Sequence, residues 1–158
     1  MADHYLLLKS LHILGAMLFV GNIMVTALWK LMADRSRAAG IIAYAQRMVT
    51  VTDFAFTSVG AGLLVATGWT MGQSQGGVTE VYWIRMGWYL FLASVLLWGL
   101  VLIPVQVMQA QMARRFQLGG AIPERYWGLA RIWYVFGAVA VALPLANLYF
   151  MVFKPTTG

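Results

Sequence analysis

The chain contains no cysteine, which excludes disulfides, iron–sulfur clusters and thiolate zinc centres. Histidine occurs only at positions 4 and 12, so no metal cage of several histidines can form within one chain. Charge is scarce as well: 10% of the 158 residues are Asp, Glu, Lys or Arg, against about 25% in a soluble domain. Also missing are a glycine-rich nucleotide loop, an HExxH helix and a Ser-His-Asp set. Any catalysis would therefore rest on a cofactor that the protein binds and tunes.

What is there is apolar surface, with 61% of residues hydrophobic. It is gathered into four stretches, at about 5–28, 49–71, 86–108 and 129–152. Each is long enough, at about 20 residues, to cross the hydrocarbon core as a helix. The expected fold is all-α, a single transmembrane domain over 1–158 built as a four-helix up-down bundle, because short loops force antiparallel neighbours. Met-Ala-Asp-His ahead of the first stretch lacks the positive charge of a secretory signal, so that stretch reads as a retained span. The connections at 29–48 and 109–128 read as short amphipathic or polar segments. Asp34 is expected to cap a short helix leading into the second span, Gln73 to Gly77 to form a turn, and Pro123-Glu124 to open the fourth helix.

Lys30, Arg35, Arg37 and Arg47 fall in the first loop region and Arg114, Arg115 and Arg125 in the third, while the second has none. The positive-inside rule then puts both termini and the second loop outside, with loops one and three in the cytoplasm. The net charge of +6 is an orientation signal. The expected partner is the lipid bilayer, not nucleic acid. Trp29, Trp69, Trp83, Trp127, Tyr5, Tyr82 and Tyr149 sit near span ends, as interfacial belts require. Ala138, Ala142 and Ala146 form one strip of small residues, and Gly60, Gly62 and Ala66 another, suited to close helix approach.

Ionisable groups within such helices are candidate functional sites. His12 heads the list. At 3.6 residues per turn Tyr5, Lys9 and His12 share one face of the first helix, expected to point into the bundle. A neutral imidazole there can ligate a metal, with haem iron the best match, or relay protons; the alternative is a plain interhelical hydrogen bond. Lys9, Arg85 and Lys154 could receive carboxylates such as haem propionates, or snorkel to lipid phosphates. Met71, Met86 and Met151 are candidate second axial ligands by depth. Asp53 is expected to pair with Arg131, or with Arg47, as a structural or proton-relay pair.

The opening Tyr5-Leu-Leu-Leu-Lys-Ser-Leu-His-Ile-Leu-Gly-Ala, the central Thr52-Asp53-Phe54-Ala-Phe-Thr and the closing Tyr149-Phe-Met-Val-Phe-Lys-Pro155 resemble an uncharacterised bacterial integral-membrane family. More distantly, the chain is similar to the oxygen-independent, haem-b-containing protoporphyrinogen oxidases of the HemJ type. That family's Lys-x-Leu-His-Ile is matched by Lys9, Leu11, His12 and Ile13, and the end of its second span by Gly68-Trp69. The start of its third span is matched by Trp83-Ile84 with Arg85 nearby, and its closing Lys-Pro by Lys154-Pro155. The resemblance implies haem b with His12 as its ligand. The chain departs from the pattern where that family has further histidines, offering Trp29-Lys30 and Trp98 instead, and where it has Arg-x-x-Asn-Glu, here reduced to Arg131. The oxidase activity is not carried over by those positions. Gly21-Asn22 is similar to a step in the membrane domain of copper-resistance D-type proteins. So small a bundle has little room for a porphyrin, which makes a homodimer sharing a site one expected arrangement. The reading from a different class is a non-catalytic, transporter-like or partner-binding bundle that uses Asp53 and Arg131.

Overall fold

The computed structural model describes residues 2–156. Among them the chain forms four long helices and no strand: α1 (Ala2–Ser36), α2 (Ala39–Ser74), α3 (Tyr82–Phe116) and α4 (Glu124–Phe153). All four are long and apolar enough to cross a membrane. At 1.5 Å per residue they run about 45–54 Å, against about 30 Å of hydrocarbon. The segments 29–48 and 109–128 are thus largely continuations of the helices, and the connections shrink to 37–38, 75–81 and 117–123. The physical reason lies in the buried faces of those extensions. Ile42, Ala43, Gln46 and Val49 on α2, and Gln106, Gln109, Ala113 and Phe116 on α3, recur at helical spacing and are buried.

Asp34 does not cap a helix. It lies inside α1, and the chain turns at Arg37, which adopts left-handed backbone (φ 52°) before an extended Ala38. Pro123 immediately precedes α4, and Gly76 and Gly77 make the 75–77 turn at φ 108° and 111°. Loops 37–38 and 117–123, with Arg35, Arg37, Arg114, Arg115 and Arg125 in or beside them, define a basic end. The 75–81 loop lies at the other, terminal end. At the basic end Ile42, Ala43, Ala113, Phe116 and Tyr126 form one core layer, and deeper in Val49, Leu102, Val105, Trp133 and Ala140 form another.

α1 packs chiefly on α2, and α3 on α4. The α1–α2 approach is closest at Gly15 and Gly60: a Cβ on Gly60 would lie 2.8 Å from the Gly15 carbonyl and 2.7 Å from Phe19 N. Gly62 faces open space. The Ala138-Ala142-Ala146 strip lies on the outside of the bundle, exposed. The buried stripe of α4 is Tyr126, Ala130, Trp133 and Ala140, and Ala138 sits about 200° around the helix from Ala140.

Two π-helical turns, Asp53–Thr57 in α2 and Trp98–Leu102 in α3, interrupt the helices midway. Each inserts an extra residue per turn and rotates the side chains that follow. In α4 the irregularity is Pro144, which has no N–H to give the Ala140 carbonyl. In hydrocarbon that oxygen has no water to fall back on. The buried Ser94 hydroxyl of α3 donates to it instead, at 3.0 Å.

Ser94→Ala should therefore cost about 1–3 kcal/mol, the penalty for an orphaned buried acceptor. Adding Pro144→Ala should recover most of it, because residue 144 then supplies the missing N–H. Unfolding in mixed detergent micelles measures both; an unchanged stability in the single variant would refute this account.

Candidate functional site

Three polar clusters stand out in an otherwise apolar bundle. Nearest the terminal end, His12 of α1 meets Thr67 of α2, with Nδ1 2.9 Å from the hydroxyl oxygen. Thr67 spends its single proton on the Leu63 carbonyl, at 2.5 Å. The hydroxyl oxygen must then accept from His12, so Nδ1 carries the proton and Nε2 keeps its lone pair. The imidazole sits against Gly68, where a Cβ would lie 3.1 Å from Cε1. Nε2 makes no hydrogen bond among the described residues.

His12 lines a partly open cavity of about 150 Å³, together with Tyr5, Met71, Trp88, Asn147 and Met151. Asn147 donates from Nδ2 to the Gly87 carbonyl at 3.1 Å, while its Oδ1 is buried without a partner. Of the three methionines considered as second ligands, Met71 and Met151 line this cavity and Met86 does not. Lys9 is exposed and outside the lining, because it lies about 60° around α1 from His12. Arg85 is also outside it, with its guanidinium donating to the Thr79 carbonyl at 3.0 Å. Lys154 lies over the Trp83 ring, 5.1 Å from its centroid.

In the middle of the bundle, Asp53 opens the π-turn of α2. Its Oδ1 accepts from Asn22 Nδ2 of α1 at 3.0 Å and from the Thr57 hydroxyl at 3.1 Å. Asn22 Nδ2 also donates to Thr57 Oγ1 at 2.8 Å. Gln106 and Trp98 of α3 flank the same carboxyl. No ion pair forms with Arg131 or Arg47, both of which are exposed. Arg131 lies seven residues into α4 and Asp53 fourteen into α2, so they differ in depth by about 10 Å. An uncharged amide and hydroxyl take the place of the expected arginine.

The third cluster, near the basic end, is the one that residue-by-residue reading of the chain overlooks. Lys30 Nζ lies 2.8 Å from Asp34 Oδ2, one turn further along α1, and both side chains are buried. The Tyr126 hydroxyl donates to Asp34 Oδ1 at 2.6 Å and the Tyr134 hydroxyl to Oδ2 at 2.7 Å. Gln46 of α2 donates to the Tyr126 oxygen at 3.0 Å, and Lys30 to the same oxygen at 3.3 Å. Lys30 Nζ also lies 5.3–5.4 Å from the ring centroids of Tyr126, Trp133 and Tyr134. The signal for it is the i,i+4 spacing of opposite charges, which the drop in hydropathy after residue 28 masks as a loop.

The fold defines an integral membrane protein: four long apolar helices joined by polar clusters that cross helix boundaries. Residues 6–155 match the model of a family described as predicted integral membrane protein (DUF2269), and the chain belongs to that family. No curated protein and no solved structure matches it.

Breaking the third cluster from one side should be costly. Lys30→Met leaves Asp34 buried with its charge uncompensated, an expected loss of about 3–5 kcal/mol. The double variant Lys30→Met/Asp34→Leu should be more stable than Lys30→Met alone. Equal stability of Lys30→Met and wild type in micelle unfolding would mean the pair contributes nothing.

Proposed function

We propose that this is a haem-b-binding, redox-related protein of a bacterial inner membrane, in which His12 Nε2 would hold the iron, with both termini on the outer side. The observation that carries the reading is the polarity of the His12–Thr67 bond. Ligating histidines usually donate their other ring N–H to a fixed acceptor, which sets the tautomer and raises the basicity of the ligating nitrogen. Thr67, its own proton spent on Leu63, is such an acceptor. The residues present fit the group: an unpartnered imidazole nitrogen, a glycine that seats the ring, and two thioether sulfurs, Met71 and Met151, in the same cavity.

Haem b would supply one-electron chemistry at this position. Thr67 holds the imidazole and its proton, Gly68 gives the ring its room, and Trp88 and Phe91 help keep the cavity dry. Arg85 and Lys9 lie outside the lining and would serve only at its rim, as counter-charges to carboxylates. The similarity to HemJ-type enzymes around Lys9 to Ile13 points the same way. The orientation rests on the arginines gathered at one end, Arg35, Arg37, Arg114, Arg115 and Arg125.

A cavity of about 150 Å³ is smaller than the ~300–1,000 Å³ usual for cofactor pockets. The reading therefore includes a homodimer whose second copy supplies further wall.

Protein purified in detergent from haem-replete membranes should show a Soret band. His12→Ala should lose it with helical circular dichroism intact, and Thr67→Val should weaken haem retention about 10–100-fold. Colourless, folded wild-type protein would overturn the proposal and leave His12–Thr67 as an interhelical tie.

A further inference from the structure

A second cavity, of about 470 Å³, lies between α1, α3 and α4 beside the Asp53 π-turn. Its size falls within the ~300–1,000 Å³ range of small-molecule sites, and such sites combine apolar walls with a few placed polar groups. Here the walls are mostly aliphatic residues of α1 and α4, with Trp98, Trp133 and Tyr134 as aromatic panels. The polar group that matters is Asp53, which lines the cavity while only 8% of its surface is exposed.

Asn22 and Thr57 both donate to Oδ1, and Gln106 and Trp98 of α3 stand beside the carboxyl on the cavity side. No lysine or arginine lines the cavity. Lys30, whose Nζ lies 5.4 and 5.3 Å from the Trp133 and Tyr134 ring centroids, is paired with Asp34. Both π-turns contribute to the cavity, Asp53 from one and Trp98 with Leu102 from the other. The irregular turns thus set a carboxylate and an indole on the same space.

A carboxylate with no basic partner, bordered by aromatic faces and aliphatic walls in a partly open cavity, is complementary to a positive charge that carries its own apolar surface. Aromatic faces attract cations most strongly where water is excluded. A small metal ion would have to exchange its hydration shell for several oxygen ligands, and the lining offers few beyond Asp53 and Gln106. A hydrophobic organic cation has little hydration to lose. We infer that this cavity is a binding site for a lipophilic monovalent organic cation, with Asp53 as the counter-ion and Trp98, Trp133 and Tyr134 as the aromatic wall. The site is separate from His12 and does not depend on haem.

Tetraphenylphosphonium is a suitable probe, measured by equilibrium dialysis against the purified full chain in maltoside micelles. Saturable binding is expected, weakened about tenfold or more in Asp53→Asn and about three- to tenfold in Trp133→Leu, and retained within about threefold in Asp53→Glu. Neutral triphenylphosphine oxide should not compete. Each variant is checked for a monodisperse elution profile and wild-type helical dichroism. If Asp53→Asn fails to fold, Asp53→Glu, Trp133→Leu and the neutral competitor decide the matter. Absence of saturable binding to wild type, equal binding by folded Asp53→Asn, or equal competition by the phosphine oxide would overturn the inference. That last result would mark the cavity as a slot for apolar chains.

Discussion

The basic half of this bundle is organised around one buried ion pair. Placing Lys30 and Asp34 out of water costs several kcal/mol per ion unless further hydrogen bonds compensate. The protein supplies them by drawing in Tyr126, Tyr134 and, through Tyr126, Gln46. Three of the four helices are thereby bound to one carboxylate. The geometry is demanding: Tyr126 and Tyr134 are eight residues apart on α4 and reach the two oxygens of the same Asp34. A shift of α4 by a residue relative to α1 would carry both hydroxyls away from the carboxylate. Apolar packing of Ile42, Ala113 and Phe116 around Tyr126 is non-directional and could tolerate such a slip; the two tyrosine hydrogen bonds cannot.

Much of the architecture is legible from the amino-acid order because hydropathy over twenty residues is a strong signal. The four spans and the start of α4 at Glu124 follow from it or from Pro, and of the turn expected at 73–77 the Gly76-Gly77 part does, while Gln73 and Ser74 belong to α2. The ends of the helices do not. A hydropathy window stops at the first cluster of charges, so Lys30 and Asp34 were counted as loop residues, though a buried pair inside a helix contains the same letters. Asp53 illustrates a second limit. Charge complementarity suggested arginine, but the π-turn and a depth difference of about 10 Å put Arg131 out of reach, and nothing local to residues 50–57 announces Asn22. The outward-facing alanines of α4 mark a third limit, since spacing alone does not say which neighbour a face meets. His12 was conspicuous as a lone histidine; Thr67, which gives it a defined tautomer, was not.

The two cavities divide the interior by chemistry. One presents a neutral nitrogen base and thioethers, the other a carboxylate among indoles and a phenol. They are separated along α1 by a single step, since Phe19 and Val20 line the first and Ile23 and Met24 the second. Phe19, fully buried against Phe91 at 5.8 Å between ring centroids, stands at that step. An apolar partition of this kind limits the field that either polar centre exerts on the other to what passes through hydrocarbon, with no hydrogen-bonded chain of side chains joining them among the described residues.

Pro144 gives α4 an uneven stiffness. The rung it lacks is the mechanical link between the part of the helix bearing Tyr126 and Tyr134 and the part bearing Asn147 and Met151. Ser94 restores the hydrogen bond but from a different helix, so the bond fastens α4 to α3 and does not brace α4 along its own axis. Bending is consequently concentrated at one point. The last nine residues of the helix form a lever whose fulcrum is the Ser94 contact, and the walls that Asn147 and Met151 supply to the His12 cavity travel with that lever, while the ion-paired end remains where it is.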